Sequence, residues 1–238
     1  MASPKGLLLS AVGRLVLRHA RVTAVEDLGG HLRRIALASD ELRGASWTAG
    51  DKVQVLLPSK DVRTYTPLAW DRTRGATAVV AFDHGDSPGA RWARTVKAGD
   101  PCGFVGPQRS IARTPTRPAI LFGDETSLGV AHALGHVEPA APLTCVLEVG
   151  DPAALAPALE LLGLDDAAVL IARRADDGHL AAVATQLAAA HRAQRDAELI
   201  FTGRGQSIQA LRTRLRELGV ASRGPTKAYW SVGKSGLD

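Results

Sequence analysis

Arg63, Tyr65 and Thr66 are the neighbouring residues of this sequence best suited to bind a ligand that carries both a phosphate and a flat ring. They follow an apolar run at residues 53–57 and a tight turn, so the sequence predicts that they lie on a β-strand. On a strand, Arg63 and Tyr65 share one face. A guanidinium can bind phosphate through two hydrogen bonds, and a phenol offers a ring and a hydroxyl. A half-exposed strand with a surface arginine would look the same, so this motif alone does not decide the function.

A second anion-binding feature is predicted where a strand leads through His84-Gly85 into a helix. Ser87 is a favoured N-cap and Pro88 a favoured first helical residue, so we expect a helix over residues 89–97. A helix N-terminus presents free backbone N–H groups and the positive end of the helix dipole, which suits a pyrophosphate. A connecting helix that is capped only for stability fits the same residues.

Three loops in the second half of the chain are predicted to follow strands. Residues 123–129 and 203–207 are glycine-bearing turns at helix starts, and Arg173 and Arg174 form the loop between them. Ligands of parallel sheets bind beyond the carboxyl ends of the strands, so all three loops are candidates for phosphate or nicotinamide contacts. Arg173 and Arg174 suit the 2′-phosphate of NADPH, with ordinary solvated charges as an equal alternative. Neither glycine loop contains a complete G-x-G-x-x-G pattern.

The elements that position these residues divide the chain into two regions. We predict an antiparallel β-barrel domain over residues 1–113, a linker over 114–118 and an α/β domain with a parallel sheet over 119–238. The strands predicted for the barrel are residues 15–26, 31–38, 52–57, 62–70, 75–83 and 100–105. The strands predicted for the second domain, with helical runs between them, are residues 119–122, 143–149, 167–172 and 198–202.

Composition excludes several classes of function. The 238 residues are 45% hydrophobic and carry a net charge of +5 without a dense basic tract that includes aromatic residues, so nucleic-acid binding is not favoured. Cys102 and Cys145 are far apart and form neither a disulfide framework nor a zinc motif, which fits a cytoplasmic protein. The apolar run at residues 7–12 is too short to span a membrane, so we expect no membrane partner. A mildly basic surface instead suits a small anionic ligand.

The motifs that carry a family resemblance are Arg63-Thr-Tyr65-Thr66, His84-Gly85 with Trp92-Ala93, Gly99-Asp100, Gly106-Pro107, Gly123-Asp-Glu-Thr126, Tyr229-Trp230 and residues 233–238. In this order and spacing, which cover nearly the whole chain, they resemble the siderophore-interacting protein family. These proteins are FAD-dependent ferric-siderophore reductases within the ferredoxin-reductase-like flavoproteins. The resemblance implies a flavin-binding antiparallel barrel followed by a nucleotide-binding domain like that of ferredoxin-NADP reductase.

The resemblance also implies a function. NADPH or NADH would reduce FAD, and FAD would reduce a small-molecule ferric chelate. Because the cofactor would carry the redox chemistry, we expect neither a catalytic side chain nor a metal ligand. The cofactor-binding candidates are Arg63, Tyr65, Thr66, His84, Gly85, Ala90, Trp92, Asp124, Thr126, Arg173, Arg174 and Gly203. The candidates for contact with an anionic chelate or another substrate are Lys52, Leu68, Arg109, Arg204, Trp230 and Lys234.

Several positions depart from the family pattern and keep alternatives open. Leu68 stands in a region where a polar residue is usual, residues 87–90 alter the pyrophosphate loop, Arg204 replaces an acid, and Ser231 replaces an arginine. An alternative is therefore a flavin-reductase-like fold that has lost FAD and serves natural-product biosynthesis. It would fold a pathway intermediate in a barrel-side pocket and catalyse a cycloaddition through proximity. A non-catalytic carrier of a ferric chelate is a third possibility.

Overall fold

The computed structural model describes residues 17–136 and 141–233, and the chain divides into two compact units after Ser110. The sequence predicts the end of the barrel domain at residue 113. The apolar run at residues 7–12, the substrate candidate Lys234 and most of the family tail at residues 233–238 lie outside the described residues. Among the described residues, no helix is both long and apolar enough to cross a membrane.

Antiparallel strands form the first unit. Within residues 17–110 they are β1 (Leu17–Gly29), β2 (Leu32–Ala38), β3 (Lys52–Leu56), β4 (Val62–Tyr65), β5 (Pro67–Asp71), β6 (Ala76–Phe82) and β7 (Pro101–Gln108). They make one sheet in the order β4-β3-β7-β1-β2-β6-β5. Buried and partly exposed residues alternate along β3, as expected for a sheet with one face on a core.

The edges of this sheet meet at Thr66. The two outermost strands, β4 and β5, are consecutive in the chain and are separated by Thr66 alone. The sheet must therefore curl until its edges meet at this residue, which gives it the form of a barrel. The sequence predicts one strand over residues 62–70. It is broken because Pro67 has no N–H and begins a strand instead of continuing a ladder.

Helix α1 (Pro88–Thr95) packs into the barrel. Trp92 and Ala93 are buried in the same core cluster as Val55 and Phe104 of the sheet. The Ser87 hydroxyl caps the helix as predicted, and Pro88 is its first residue. The helix ends at Thr95, before the predicted residue 97, because Val96 turns to an extended conformation. One face of α1 is therefore fixed by the core, and its N-terminus is fixed by the cap.

The second unit is an α/β domain. Within the described part of residues 111–233, its parallel strands are β8 (Ala119–Gly123), β9 (Leu143–Val149), β10 (Ala168–Ala172), β11 (Glu198–Arg204) and β12 (Thr226–Trp230). Its helices are α2 (Leu128–Gly135), α3 (Pro152–Leu161), α4 (Leu180–Ala193) and α5 (Gly205–Glu217). The strand order β10-β9-β8-β11-β12 reverses direction between β8 and β11. Every residue of β8 is buried, as expected for the centre of a parallel sheet.

Both predicted architectures are confirmed. The strands at residues 119–122, 143–149, 167–172 and 198–202 are present with small shifts at their ends, and β12 adds a further strand beyond those four. In a sheet of this kind, ligands bind where the strand order reverses. The loops after β8 and β11 therefore lie at the position where a nucleotide is expected.

Candidate functional site

Arg63 reaches the N-terminus of α1. A Cβ atom on Gly89 would lie 3.3 Å from the Cγ atom and 3.4 Å from the Nε atom of Arg63. The Nη1 atom of Arg63 donates to the carbonyl of Val62, 2.8 Å away. The strand motif and the helix start, which the sequence indicated separately, are therefore parts of one site.

The first turn of α1 leaves one backbone donor next to Arg63. The Ala90 N–H donates to the Ser87 hydroxyl at 3.2 Å, the Arg91 N–H donates to the Ser87 carbonyl at 2.9 Å, and Pro88 has no N–H. Within residues 17–136 and 141–233, the Gly89 N–H has no hydrogen-bond partner. A guanidinium, a free N–H and the positive end of a helix dipole thus adjoin one another. This is the chemistry that binds a phosphate group.

Two arginines of α1 form ion pairs with the preceding loop. Arg91 pairs with Asp86 at 3.1 Å, and Arg94 pairs with Asp83 at 3.4 Å and with Asp86 at 3.6 Å. Arg94 also donates to the Gly85 carbonyl at 3.1 Å. Arg91 and Arg94 are not among the residues predicted from the sequence. Their signal was present, since two arginines three positions apart lie on one helix face close to acidic loop residues.

Two pairs of rings lie close together among the predicted residues of this unit. The Tyr65 ring lies 5.6 Å from the ring of the buried Trp92, measured between centroids, at 45°. The His84 ring lies 4.9 Å from that of Phe82. Burial raises the pKa of Tyr65 above its ordinary value, and Arg63 opposes this only in part. The Tyr65 hydroxyl therefore stays protonated at neutral pH and can donate a hydrogen bond.

Further predicted residues lie at the same end of the barrel. In the ladder, Tyr65 is opposite Val53 and Lys52 is opposite Gln108. Lys52 is the first residue of β3, and Arg109 directly follows Gln108, the last residue of β7. Both residues therefore lie near Thr66, the residue that follows β4. The remaining candidates in this unit, Leu68 and Ala90, are both buried.

In the second unit, Asp124 is the centre of a buried hydrogen-bond network. Its carboxylate accepts from the Thr126 N–H at 2.9 Å, from the Thr126 hydroxyl and from the Trp230 Nε1–H at 2.7 Å. Burial raises the pKa of Asp124 from 3.8 to about 6, against the effect of these hydrogen bonds. Gly203 has φ +90°, and a Cβ atom there would lie 2.4 Å from the Asp124 Oδ2 atom. The structure thus brings Asp124, Thr126, Gly203 and Trp230 together where β8 and β11 end.

Arg173 belongs to the same network. Its Nη2 atom donates to Glu125 Oε2 at 2.8 Å and to the Glu148 carbonyl at 2.9 Å, and its guanidinium lies 5.7 Å from the centroid of the Trp230 ring. The other Glu125 oxygen accepts from the Gly150 N–H at 2.6 Å. The charge of Arg173 is therefore largely balanced within the protein.

Arg174 and Arg204 also pair with carboxylates, but in different surroundings. Arg174 contacts Asp176 at 3.2 Å, and both side chains are mostly exposed. Arg204 binds both oxygens of Asp177, and this lowers the pKa of that carboxyl. Of these predicted ligand contacts, Arg174 is the more available, because an exposed ion pair is weak and exchanges readily.

His179 and Glu148 form a buried pair that the sequence did not predict, and His179 contacts the backbone of Arg174. The Nε2 atom of His179 is 2.7 Å from Glu148 Oε2, and both residues are buried. The Arg174 backbone N–H donates to His179 Nδ1 at 3.2 Å, so this ring carries its proton on Nε2 and donates it to Glu148. Glu148, the one charged residue of strand β9, was the available signal.

Comparison with known proteins agrees with the geometry of the first unit. Residues 59–111 match a family model described as the siderophore-interacting FAD-binding domain. The predicted family resemblance is confirmed. The matched segment contains Arg63, Tyr65, Thr66 and all of α1. No curated protein matches the chain.

Solved structures support the fold over both units. The siderophore-interacting protein SipS from Aeromonas hydrophila is 24% identical, with a TM-score of 0.73 over 92% of this chain and 93% of that chain. A siderophore utilization protein from T. fusca is 21% identical, with a TM-score of 0.71 over 94% and 95%. Phthalate dioxygenase reductase is 11% identical, with a TM-score of 0.73 over 92% of this chain and 70% of that chain. These likenesses establish the ferredoxin-reductase-like fold, while the FAD-binding domain rests on the family match.

Proposed function

We propose that the protein is an FAD-dependent oxidoreductase that reduces a ferric siderophore, or a similar ferric chelate, with electrons from NADPH or NADH. The observation that carries this proposal is the meeting of Arg63 with the N-terminus of α1 at Gly89. The family match over residues 59–111 supports FAD as the cofactor. The fold shared with reductases supports a second, nucleotide-binding role for residues 119–233.

The residues of the first unit fit FAD. Its pyrophosphate would be held by the Arg63 guanidinium and the Gly89 N–H. Gly89 lets the Arg63 side chain lie close to the helix start, since a Cβ atom there would be 3.3 Å from the Arg63 Cγ atom. Arg91 and Arg94 would keep the loop at residues 83–86 in shape and add positive charge near the phosphates. Tyr65 would offer its ring for stacking and a hydroxyl that remains protonated.

When bound, FAD supplies the redox chemistry by accepting two electrons from the nicotinamide and passing them singly to ferric iron. The chain itself binds and orients the reactants. Lys52 and Arg109 would attract an anionic chelate to the end of the barrel where Tyr65 and Thr66 lie. No protein nucleophile is required. Since each transfer to iron takes one electron, one NADPH would reduce two ferric ions.

On the nucleotide side, Asp124, Thr126 and Gly203 would shape the pocket at the ends of β8 and β11. Arg174 is our candidate for the 2′-phosphate of NADPH, because Arg173 is engaged by Glu125 while Arg174 is mostly exposed. We therefore expect Arg174→Ala to raise the KM for NADPH about tenfold and to leave the KM for NADH unchanged. Equal effects on both coenzymes would remove Arg174 from this role.

Spectroscopy of the purified protein tests the proposal. We expect a yellow protein whose flavin absorbance is bleached by NADPH under anaerobic conditions and restored by a ferric chelate. A protein that binds flavin but is never reduced by NADPH or NADH would require another electron donor. A colourless protein that does not take up added FAD would overturn the proposal. That result would favour the cyclase alternative, which has no support from the comparisons.

A further inference from the structure

Strand β10 is an apolar edge of the parallel sheet. Among the described residues it pairs only with β9. Its sequence, Ala-Val-Leu-Ile-Ala, has no charge and no proline, and Val169 is 41% exposed. Proteins usually protect such edges with lysine, proline, a bulge or a covering segment, because a free edge can pair with another chain. None of these protections lies within β10 itself.

The backbone groups of β10 alternate between the sheet and the free edge. The Ala167 carbonyl accepts from the Cys145 N–H at 2.7 Å, and the Arg173 N–H donates to the Val149 carbonyl at 2.7 Å. Since successive residues of a strand point their peptide groups to opposite sides, Ala168, Leu170 and Ala172 present theirs to the free edge. Leu170 is the middle residue of the strand. These outward groups are therefore symmetric about Leu170.

We propose that β10 is a dimerisation edge that pairs antiparallel with β10 of a second copy of this chain, around a two-fold axis at Leu170. In this register, Leu170 of each copy exchanges two hydrogen bonds with the other copy, and each Ala168 exchanges two with Ala172. Val169 lies opposite Ile171 of the second copy, so its exposed side chain gains an apolar neighbour. A two-fold contact uses the same edge on both copies and cannot continue into a fibre.

The charges at the two ends of β10 favour pairing with a second copy of this chain and favour the antiparallel direction. Asp165 and Asp166 precede the strand, and Arg173 and Arg174 follow it. Antiparallel pairing brings the acidic start of each strand to the basic end of the other, whereas parallel pairing would bring like charges together. Asp165, Asp166 and Arg174 are exposed, and the contact of Arg174 with Asp176 is a solvent-exposed pair that can be exchanged. In the coenzyme-free protein, Arg174 is therefore available to Asp166 of the second copy.

A backbone substitution tests the edge directly. Sedimentation of the full chain without coenzyme should give twice the 25.0 kDa mass of one chain at micromolar concentration. Leu170→Pro removes the central outward N–H without removing a bond to β9, and it should give a monomer. Leu170→Ala keeps that N–H and is the matched control, which should remain a dimer. Thermal unfolding of both variants checks that each of them folds. A monomeric parent chain, or a dimeric Leu170→Pro variant, would overturn the proposal.

Charge reversal tests the antiparallel direction and does not depend on proline. Asp166→Arg and Arg174→Asp should each weaken the dimer roughly tenfold, because each makes both end contacts repulsive. An equal mixture of the two variants should associate again, since the mixed dimer restores opposite charges at both ends. Failure of the mixture to recover, or assembly into species larger than a dimer, would contradict the two-fold antiparallel edge.

Discussion

The arginines predicted to bind ligands differ between the two units in what they contact inside the protein. Arg63, in the first unit, donates to a neighbouring backbone carbonyl and lies beside a helix N-terminus. Arg173 and Arg204, in the second unit, each bind a carboxylate of their own chain. A charge without an internal carboxylate partner is available to a ligand, whereas a paired charge mainly holds loops in place. The same residue type therefore has different expected effects in the two units.

The largest expected effect concerns Arg173. Replacing Arg173 with alanine leaves the buried Glu125 carboxylate without its cation, so we expect the free energy of unfolding to fall by about 4 kcal/mol in urea titration. Arg174→Ala is the matched control and should change stability by less than about 1 kcal/mol, because its ion pair is exposed. In the double variant Arg173→Ala/Glu125→Gln, part of the loss should be recovered. If Arg173→Ala changed the free energy of unfolding only slightly, Arg173 would not have the structural role that distinguishes it from Arg63.

The next effect concerns the close approach of Gly203 to Asp124. Gly203→Ala places a methyl group 2.4 Å from a buried carboxylate oxygen at a positive φ, so we expect a loss of about 3 kcal/mol in unfolding free energy. Gly205→Ala is the control two residues away, since a Cβ atom there would make only an ordinary 3.5 Å contact with Ala228. If both variants unfolded at the same urea concentration, the packing at Gly203 would not have the role described.

A smaller effect should appear in the pH dependence of stability. Burial raises the pKa of Asp124 to about 6, so between pH 4 and pH 6 the native state binds a proton that the unfolded chain has already lost. This carboxyl therefore costs stability above pH 6, and the cost is relieved as the pH falls towards 4. Relative to Asp124→Asn, the parent protein should gain about 2 kcal/mol between pH 7 and pH 4. A difference that does not vary with pH would mean that Asp124 titrates normally.

Local sequence signals locate the strand motif and the helix cap of the first unit, but they do not locate the ion-pair partners in the second unit, for a physical reason. Arg63, Tyr65 and Ser87 are identified by local spacing on a strand and by local capping preference. The partners of Arg173 and Arg204, which are Glu125 and Asp177, lie 48 and 27 residues away in the chain. Only the sheet order brings them together. At Thr66 a local signal was present but was outweighed. Pro67 indicates a break in the strand, whereas the strand-like pattern of residues 62–70 continues through it and predicts one unbroken strand.

The smallest effect, and the one that isolates the flavin side, concerns Arg63. Arg63→Ala should weaken FAD binding about tenfold, or by ~1.5 kcal/mol, because a charge-assisted contact to phosphate is lost. The stability of the flavin-free protein should hardly change, since the hydrogen bond from Arg63 to Val62 is local. Arg74→Ala, at an exposed arginine whose 3.8 Å contact with Asp71 is weak, is the control for the loss of one positive charge. Fluorescence titration with FAD gives the affinity, and urea unfolding of both apoproteins gives the stability. If Arg63→Ala lowered stability as Arg173→Ala does while FAD affinity was unchanged, the flavin-side arginine would be structural.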